Sequence, residues 1–261
     1  MNPSQLPGHP YFSYLGDALQ AEQVSLSDLA KTHGTPLFVY SKAAMLGALQ
    51  AYHRGFANRQ VQICYAMKAN SSLGVIQVFA HAGCGFDVVS AGEMQRVLTA
   101  GGLAEKIIFS GVGKTRAEMR AALTAGIGCF NVESEAELEV LNQVALGLGM
   151  QAPVSIRVNP NVDPKTHPYI STGLKDNKFG IAHERVVQTY LRAAALPGLA
   201  VKGIDCHIGS QITTTEPYLD AMDRMLDLVS EIEAAGVPIH HIDLGGGLGI
   251  NYRGETPPPA D

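Results

Sequence analysis

Short runs of apolar residues alternate along the chain with longer stretches whose apolar positions recur every three or four residues. The runs are VQICYAM (61–67), GFDVV (85–89), KIIFSG (106–111), IGCFNV (127–132), VSIRVN (154–159), VKGIDCHIG (201–209) and HIDLGGG (241–247). Most are continuously apolar, the pattern of parallel strands covered on both faces. The stretches between them predict helices: Leu138, Leu141, Ala145 and Leu148 share one face, as do Leu219, Met222, Leu226 and Val229. Ser90 with Glu93, Thr115 with Glu118 and Ser134 with Glu137 each fit a capping box, in which hydroxyl and carboxylate satisfy the orphan N–H groups of a helix start. These glutamates read as caps, not as catalysts.

Repeated strand–helix units leave an open doubly wound sheet or a closed (β/α)₈ barrel. The first four runs begin about 21 to 24 residues apart, close to the minimum for a strand, a loop and a three-turn helix, and no second domain interrupts them. A barrel is expected, one strand short. After the seventh run comes the polar, proline-dense NYRGETPPPAD, so the chain reads as a fragment truncated before the eighth strand. The expected organisation is an N-terminal segment, 1–35, followed by an incomplete barrel domain, 36–261. TPLFVYS (35–41) reads as a strand that precedes the helix-like AAMLGALQAYHRGF and could lie outside the barrel.

Composition narrows the partners. With 261 residues, 46% hydrophobic and 16% charged, a net charge of −5 and no run of Lys or Arg, the chain lacks an electrostatic footprint for nucleic acid or an anionic membrane. No stretch approaches the roughly 18 apolar residues of a membrane span, and residues 1–30 lack the pattern of a signal peptide, so a cytoplasmic protein acting on small molecules is expected. Cys64, Cys84, Cys129 and Cys206 sit in or beside strand-like runs without metal-binding or redox spacing, and read as small buried hydrophobes; no metal site is expected.

In a barrel the active site lies at the C-terminal ends of the strands, so residues just past each apolar run face one mouth. Lys68, Asp87, Arg157, His207, Ser210, Gly245, Gly246 and Gly247 occupy such places. The triple glycine suits a phosphate cradle, since a turn without Cβ lets backbone N–H groups approach an anion. A dinucleotide fingerprint fails, because Ile250 stands where GxGxxG needs its last glycine. A lysine facing a phosphate cradle suggests Schiff-base chemistry, and apolar neighbours such as Tyr65 and Met67 would favour its neutral, nucleophilic form. Pyridoxal 5'-phosphate carries both the aldehyde and the phosphate. His207 would then stack on its ring, and Ser210 would donate to its phosphate.

YAMKAN, GFDVVSAGE, FSGVGKT, FNVESEAEL, RVNPNVD, THPYISTGLKDNKFGI, GIDCHIGSQI and HIDLGGGLGI together resemble the bacterial diaminopimelate decarboxylases from about residue 35 to 252. These belong to the pyridoxal phosphate decarboxylases that include ornithine and arginine decarboxylases and share their fold with alanine racemase. The resemblance implies a barrel plus a C-terminal β domain, to which the 36–40 strand would pair. It implies that Lys68 forms the Schiff base, that His207 packs on the ring, that Ser210 and the glycines, Gly247 above all, hold the phosphate, and that Asp87 and Arg157 support lysine and ring. The implied reaction converts meso-2,6-diaminopimelate to L-lysine in a homodimer. The family's Glu-Pro-Gly-Arg motif, its tyrosine near the phosphate and its Cys-Glu-Ser-Gly-Asp segment from the partner subunit have no counterpart here, and none of the four cysteines inherits the acid role. The 261 residues alone are therefore expected to be inactive and prone to unfold. Two other readings stay open: a barrel that binds the cofactor without turnover, and an ornithine- or arginine-type decarboxylase.

Overall fold

A computed structural model describes residues 8–162, 179–252 and 254–261, which leaves most of THPYISTGLKDNKFGI outside the described residues. The chain divides into two compact units, Met1–Ile63 with Ala260–Asp261, and Cys64–Pro259.

In the first unit an antiparallel sheet, β1 (Phe12–Leu15), β2 (Ala18–Ala21) and β3 (Val24–Ser25), leads into α1 (Leu26–His33) and α2 (Lys42–Gly55). Glu22 steadies the start of α2, accepting from the Ser41 hydroxyl at 2.7 Å and from Ala43 N at 2.9 Å, while Ser41 accepts from Ala44 N as N-cap. TPLFVYS forms no strand here. Phe38 and Tyr40 are exposed, and β propensity alone builds no ladder without a neighbouring edge.

Each of the seven apolar runs contains a strand. In the second unit they are β4 (Cys64–Ala66), β5 (Gly85–Val88), β6 (Ile107–Phe109), β7 (Cys129–Val132), β8 (Ala152–Asn159), β10 (Leu199–Cys206) and β11 (His241–Leu244). They pair in that order, all parallel, and a two-residue β9 (Ile181–Ala182) joins the end of β8. Between them run α3 (Leu73–His81), α4 (Ala91–Thr99), α5 (Arg116–Ala125), α6 (Glu135–Gly147), α7 (Val186–Ala195) and α8 (Glu216–Ala234). Phe86, Phe109, Phe130, Ile156 and Ile204 are fully buried, as continuous apolar strands require.

The sheet curls into most of a barrel. Asn131 on β7 donates to Asp243 on β11 at 2.9 Å, although β8 and β10 lie between those strands. In a flat sheet three strand spacings would separate the two backbones by about 14 Å, with side chains parallel and out of reach. Only curvature brings them together.

Thr115 and Glu118 form a complete capping box on α5. Ser90 and Ser134 also accept from the glutamates' N–H groups, but Glu93 and Glu137 reach back one residue further, to Val89 N and Glu133 N. Helix α6 buries Leu138, Leu141 and Ala145 as expected, whereas Leu148 is only half-buried at its C-cap. Helix α8 buries a different stripe from the expected one: Ala221, Met225, Leu228 and Ile232 face inward, and Leu219 and Leu226 are exposed. The helix carries two apolar stripes side by side, and packing of its first turns against Val162, Ile208 and Ile212 selects between them. Among the described residues no helix is long and apolar enough to cross a membrane.

Candidate active site

Lys68 stands at the end of β4 on a single 3₁₀ turn, Met67–Ala69. Met67 is fully buried and Lys68 exposed, so the turn anchors one side chain in the core and presents the next to the mouth. Tyr65 braces it from below, stacking on Phe79 at 4.3 Å and donating to the Asn70 carbonyl at 3.1 Å, and Asn70 accepts from Ser72 N to begin α3. The apolar neighbours expected to wrap the amine instead support the turn that carries it.

Asp87 on β5 pairs in register with Ala66, two residues before the lysine. Burial pushes its carboxyl up to about 6; a hydrogen bond from Ser110 and the charge of Lys68 pull it down, and Asp243 pushes it up. His207, just past β10, is driven down to about 4 by burial, then by the charges of Arg157 and Lys68, so its ring is neutral at neutral pH. The charge of Lys68 thus reaches both Asp87 and His207. Arg157 on β8 donates to Glu133 at 2.7 Å and lies over the Phe179 ring at 5.3 Å.

The glycine turn after β11 is zipped to the loop after β10. Gly245 N donates to Cys206 O at 2.8 Å, Ile212 N to Gly247 O at 2.9 Å, and Gly249 N to Ile212 O at 2.8 Å. Tyr218 donates its hydroxyl to Gly246 O at 3.3 Å. Two carbonyls that would repel an anion are thereby tied up. The His207 ring presses on Gly245 so closely that a Cβ there would come within 2.5 Å of Nδ1. Gly247 has φ +103° and abuts the Gly209 carbonyl, which leaves no room for a side chain. Ser210 is exposed on the same pair of loops.

Below the rim lies a polar floor that motif reasoning passed over. Register sets Arg157 beside Asp205 and Asp205 beside Asp243. Asp205 is buried, and burial, then Asp243, holds its carboxyl well above the usual range. Asp87 Oδ1, Asn131 Oδ1, Glu133 Oε2 and Ser155 Oγ are buried without a hydrogen-bond partner. Lys114 is buried beside this floor, its Nζ bonding Gly111 O, Asn131 O and Glu137 Oε1, each at 2.7 Å. Glu137 is therefore an ion-pair partner as well as a cap. The available signal was a lone polar residue inside an apolar run, as in CFNV, GIDC and HIDL. Cys84, Cys129 and Cys206 are buried as expected and Cys64 only half-buried; burial raises Cys84 to about 11 and Cys129 to about 12.

The arrangement suits a flat, anionic, aldehyde-bearing ligand: an accessible amine, a neutral imidazole face and a carbonyl-shielded glycine turn converge on one mouth. Residues 43–260 match the family described as pyridoxal-dependent decarboxylase, pyridoxal binding domain. The chain is 57% identical to the diaminopimelate decarboxylase of Vibrio cholerae over 249 residues, which are 95% of this chain and 60% of that protein. It resembles the crystal structure of M. jannaschii diaminopimelate decarboxylase in co-complex with L-lysine with TM-score 0.91 and 36% identity, covering 98% of this chain and 61% of that one. The Helicobacter pylori enzyme complexed with L-lysine gives TM-score 0.87 and 40% identity, covering 90% of this chain and 59% of that one. The chain spans about 60% of the length of the curated relatives it matches. Fold, mouth and sequence agree that the chain belongs to the pyridoxal-dependent decarboxylase family, of which it carries the pyridoxal binding domain.

Proposed function

We propose that the protein uses pyridoxal 5'-phosphate to decarboxylate meso-2,6-diaminopimelate to L-lysine, with Lys68 as the amine that condenses with the cofactor's aldehyde. The observation that carries this reading is geometric: His207 presses on Gly245 in a glycine turn zipped to the loop after β10, and Lys68 stands at the end of β4 on the same C-terminal side of the sheet. His207, neutral and pressed on Gly245, offers an imidazole face to an aromatic ring. Gly245, Gly246 and Gly247 with Ser210 receive the phosphate. Asp87, in register with Ala66 on the strand that ends at Lys68, lines the site beside the lysine, and Arg157, held by Glu133, places a fixed positive charge beside the ring site. When bound, the cofactor supplies the sink for the electrons left on the substrate's α-carbon as CO₂ departs. The substrate assignment is supported by the relatives named as diaminopimelate decarboxylases and by the lysine bound in two of them. We place the working enzyme in the cytoplasm as a homodimer.

Release of CO₂ by the enzyme from meso-diaminopimelate, ornithine and arginine tests this. Turnover of meso-diaminopimelate alone is expected. Turnover of ornithine or arginine instead would assign the chain to that branch, and cofactor capture on Lys68 without turnover of any of the three would make it a cofactor carrier.

A further inference from the structure

Along most of β10 the pairing with β8 advances one residue at a time, but it steps once. Val201 lies beside Val154 and Gly203 beside Ser155, which leaves Lys202 as an extra residue. Such a β-bulge is rare between parallel strands, and bulges beside active sites re-aim side chains. Side chains alternate between the two faces of a strand, so one inserted residue moves everything after it to the other face.

The inner face of β8 is marked by Ser155 and the alternate residue Arg157, because Ser155 lies in register with Asn131, whose amide reaches across the barrel interior to Asp243. The step sets Gly203 and Asp205 beside these two residues. His207, at the next alternate position, then also faces inward, where its ring lies on Gly245. In continuous register Ile204 would stand beside Arg157 and Asp205 beside Val158. Ile204 and Cys206 would face the interior, and Asp205 and His207 would face the helices.

Both carbonyls at the step are bonded. Lys202 O accepts from His240 N at 2.8 Å, on the side of β11. Gly203 O accepts from the hydroxyl of Tyr190 on α7 at 2.8 Å. Tyr190 is fully buried, and its hydroxyl also lies 3.5 Å from Ile156 O on β8, so the phenol touches both strands where their register changes. A phenylalanine would fill the same space with no polar group to satisfy; what the buried hydroxyl adds is the bond to Gly203 O.

We propose that Tyr190 is a positioning residue for His207: its hydroxyl pins the register step at Lys202 and thereby the inward aim of the imidazole that packs on the cofactor ring. The inference rests on the cofactor reading above and adds to it a residue of the helix layer, outside the mouth.

The test is a double-mutant cycle on the enzyme, with affinity for pyridoxal 5'-phosphate read by fluorescence titration and folding by circular dichroism. Tyr190→Phe removes the hydroxyl and keeps the ring; His207→Ala removes the imidazole. Tyr190→Phe is expected to weaken cofactor binding about fivefold, within the range of one net hydrogen bond. In the His207→Ala background the same change is expected to weaken it less than about twofold, because the group through which the hydroxyl acts is gone. A merely structural hydroxyl would cost the same factor in both backgrounds, or lower the urea midpoint without touching affinity, and either result would overturn the proposal. Loss of folding in Tyr190→Phe, alone or with His207→Ala, would overturn it too, since the hydroxyl would then be a requirement of folding and not of aim. No cofactor binding by wild type, or unchanged binding by His207→Ala alone, would instead overturn the reading on which the proposal rests.

Discussion

Asp87 and His207 titrate in opposite senses over the same stretch of pH. Asp87 is at about 6 when folded against 3.8 when free, so the unfolded chain releases this proton first and stability falls as pH rises from about 4 to 6. His207 is at about 4 when folded against 6.5 when free, so the unfolded chain takes up the proton first and stability falls as pH drops from about 6.5 to 4. At about 1.4 kcal/mol per pH unit each effect is worth about 3 kcal/mol, and the two nearly cancel in the cofactor-free protein. Urea midpoints should separate them. Relative to wild type, Asp87→Asn should gain stability as pH rises through 4 to 6, and His207→Asn should lose it over the same range; parallel profiles for all three would contradict this assignment. The placement of Lys68, His207 and the glycines just past strand ends was legible in the sequence, because the apolar runs mark where each strand stops. Asp205 and Asn131 were not, since a polar residue within a strand gives no sign of which face it lies on until the register is known.

Element by element, the loops are held by pieces that look ordinary in sequence. Lys114 reads as a loop lysine in FSGVGKT, yet its ammonium joins the loop after β6, strand β7 and helix α6 at once. Its side chain is fully buried and that of Glu137 nearly so. Lys114→Met should therefore cost about 3–5 kcal/mol by leaving the carboxylate uncompensated, and adding Glu137→Leu should restore part of it. Denaturant unfolding checks both, and a loss under about 1 kcal/mol for the single change would show that the pair is not a structural tie. Gly247→Ala should abolish phosphate-ester binding while leaving the circular dichroism of the helices intact, because the strain falls on the contact with Gly209 and not on the sheet. Wild-type affinity in that variant would exclude the turn as the cradle. The helix starts at Ser90, Thr115 and Ser134 were readable because a cap is a local event. The buried face of α8 was not, because its two apolar stripes are separated only by what packs against them.

For the whole molecule, continuous apolar runs, the first four of them about 21 to 24 residues apart, were enough to announce seven parallel strands wrapped by helices. They could not announce the small β1–β3 sheet of the first unit, whose strands are two to four residues long and only partly buried. Nor could they show that the curl brings Asn131 on β7 within hydrogen-bond reach of Asp243 on β11. The central claim is that this curl assembles a lysine and a phosphate cradle into one cofactor pocket. The direct test is to mix the protein with pyridoxal 5'-phosphate, reduce with borohydride and map the modified lysine by peptide mass, with circular dichroism to confirm folding. The account predicts label concentrated on Lys68. A folded protein with label absent, or spread over exposed lysines such as Lys31 and Lys202, would contradict it.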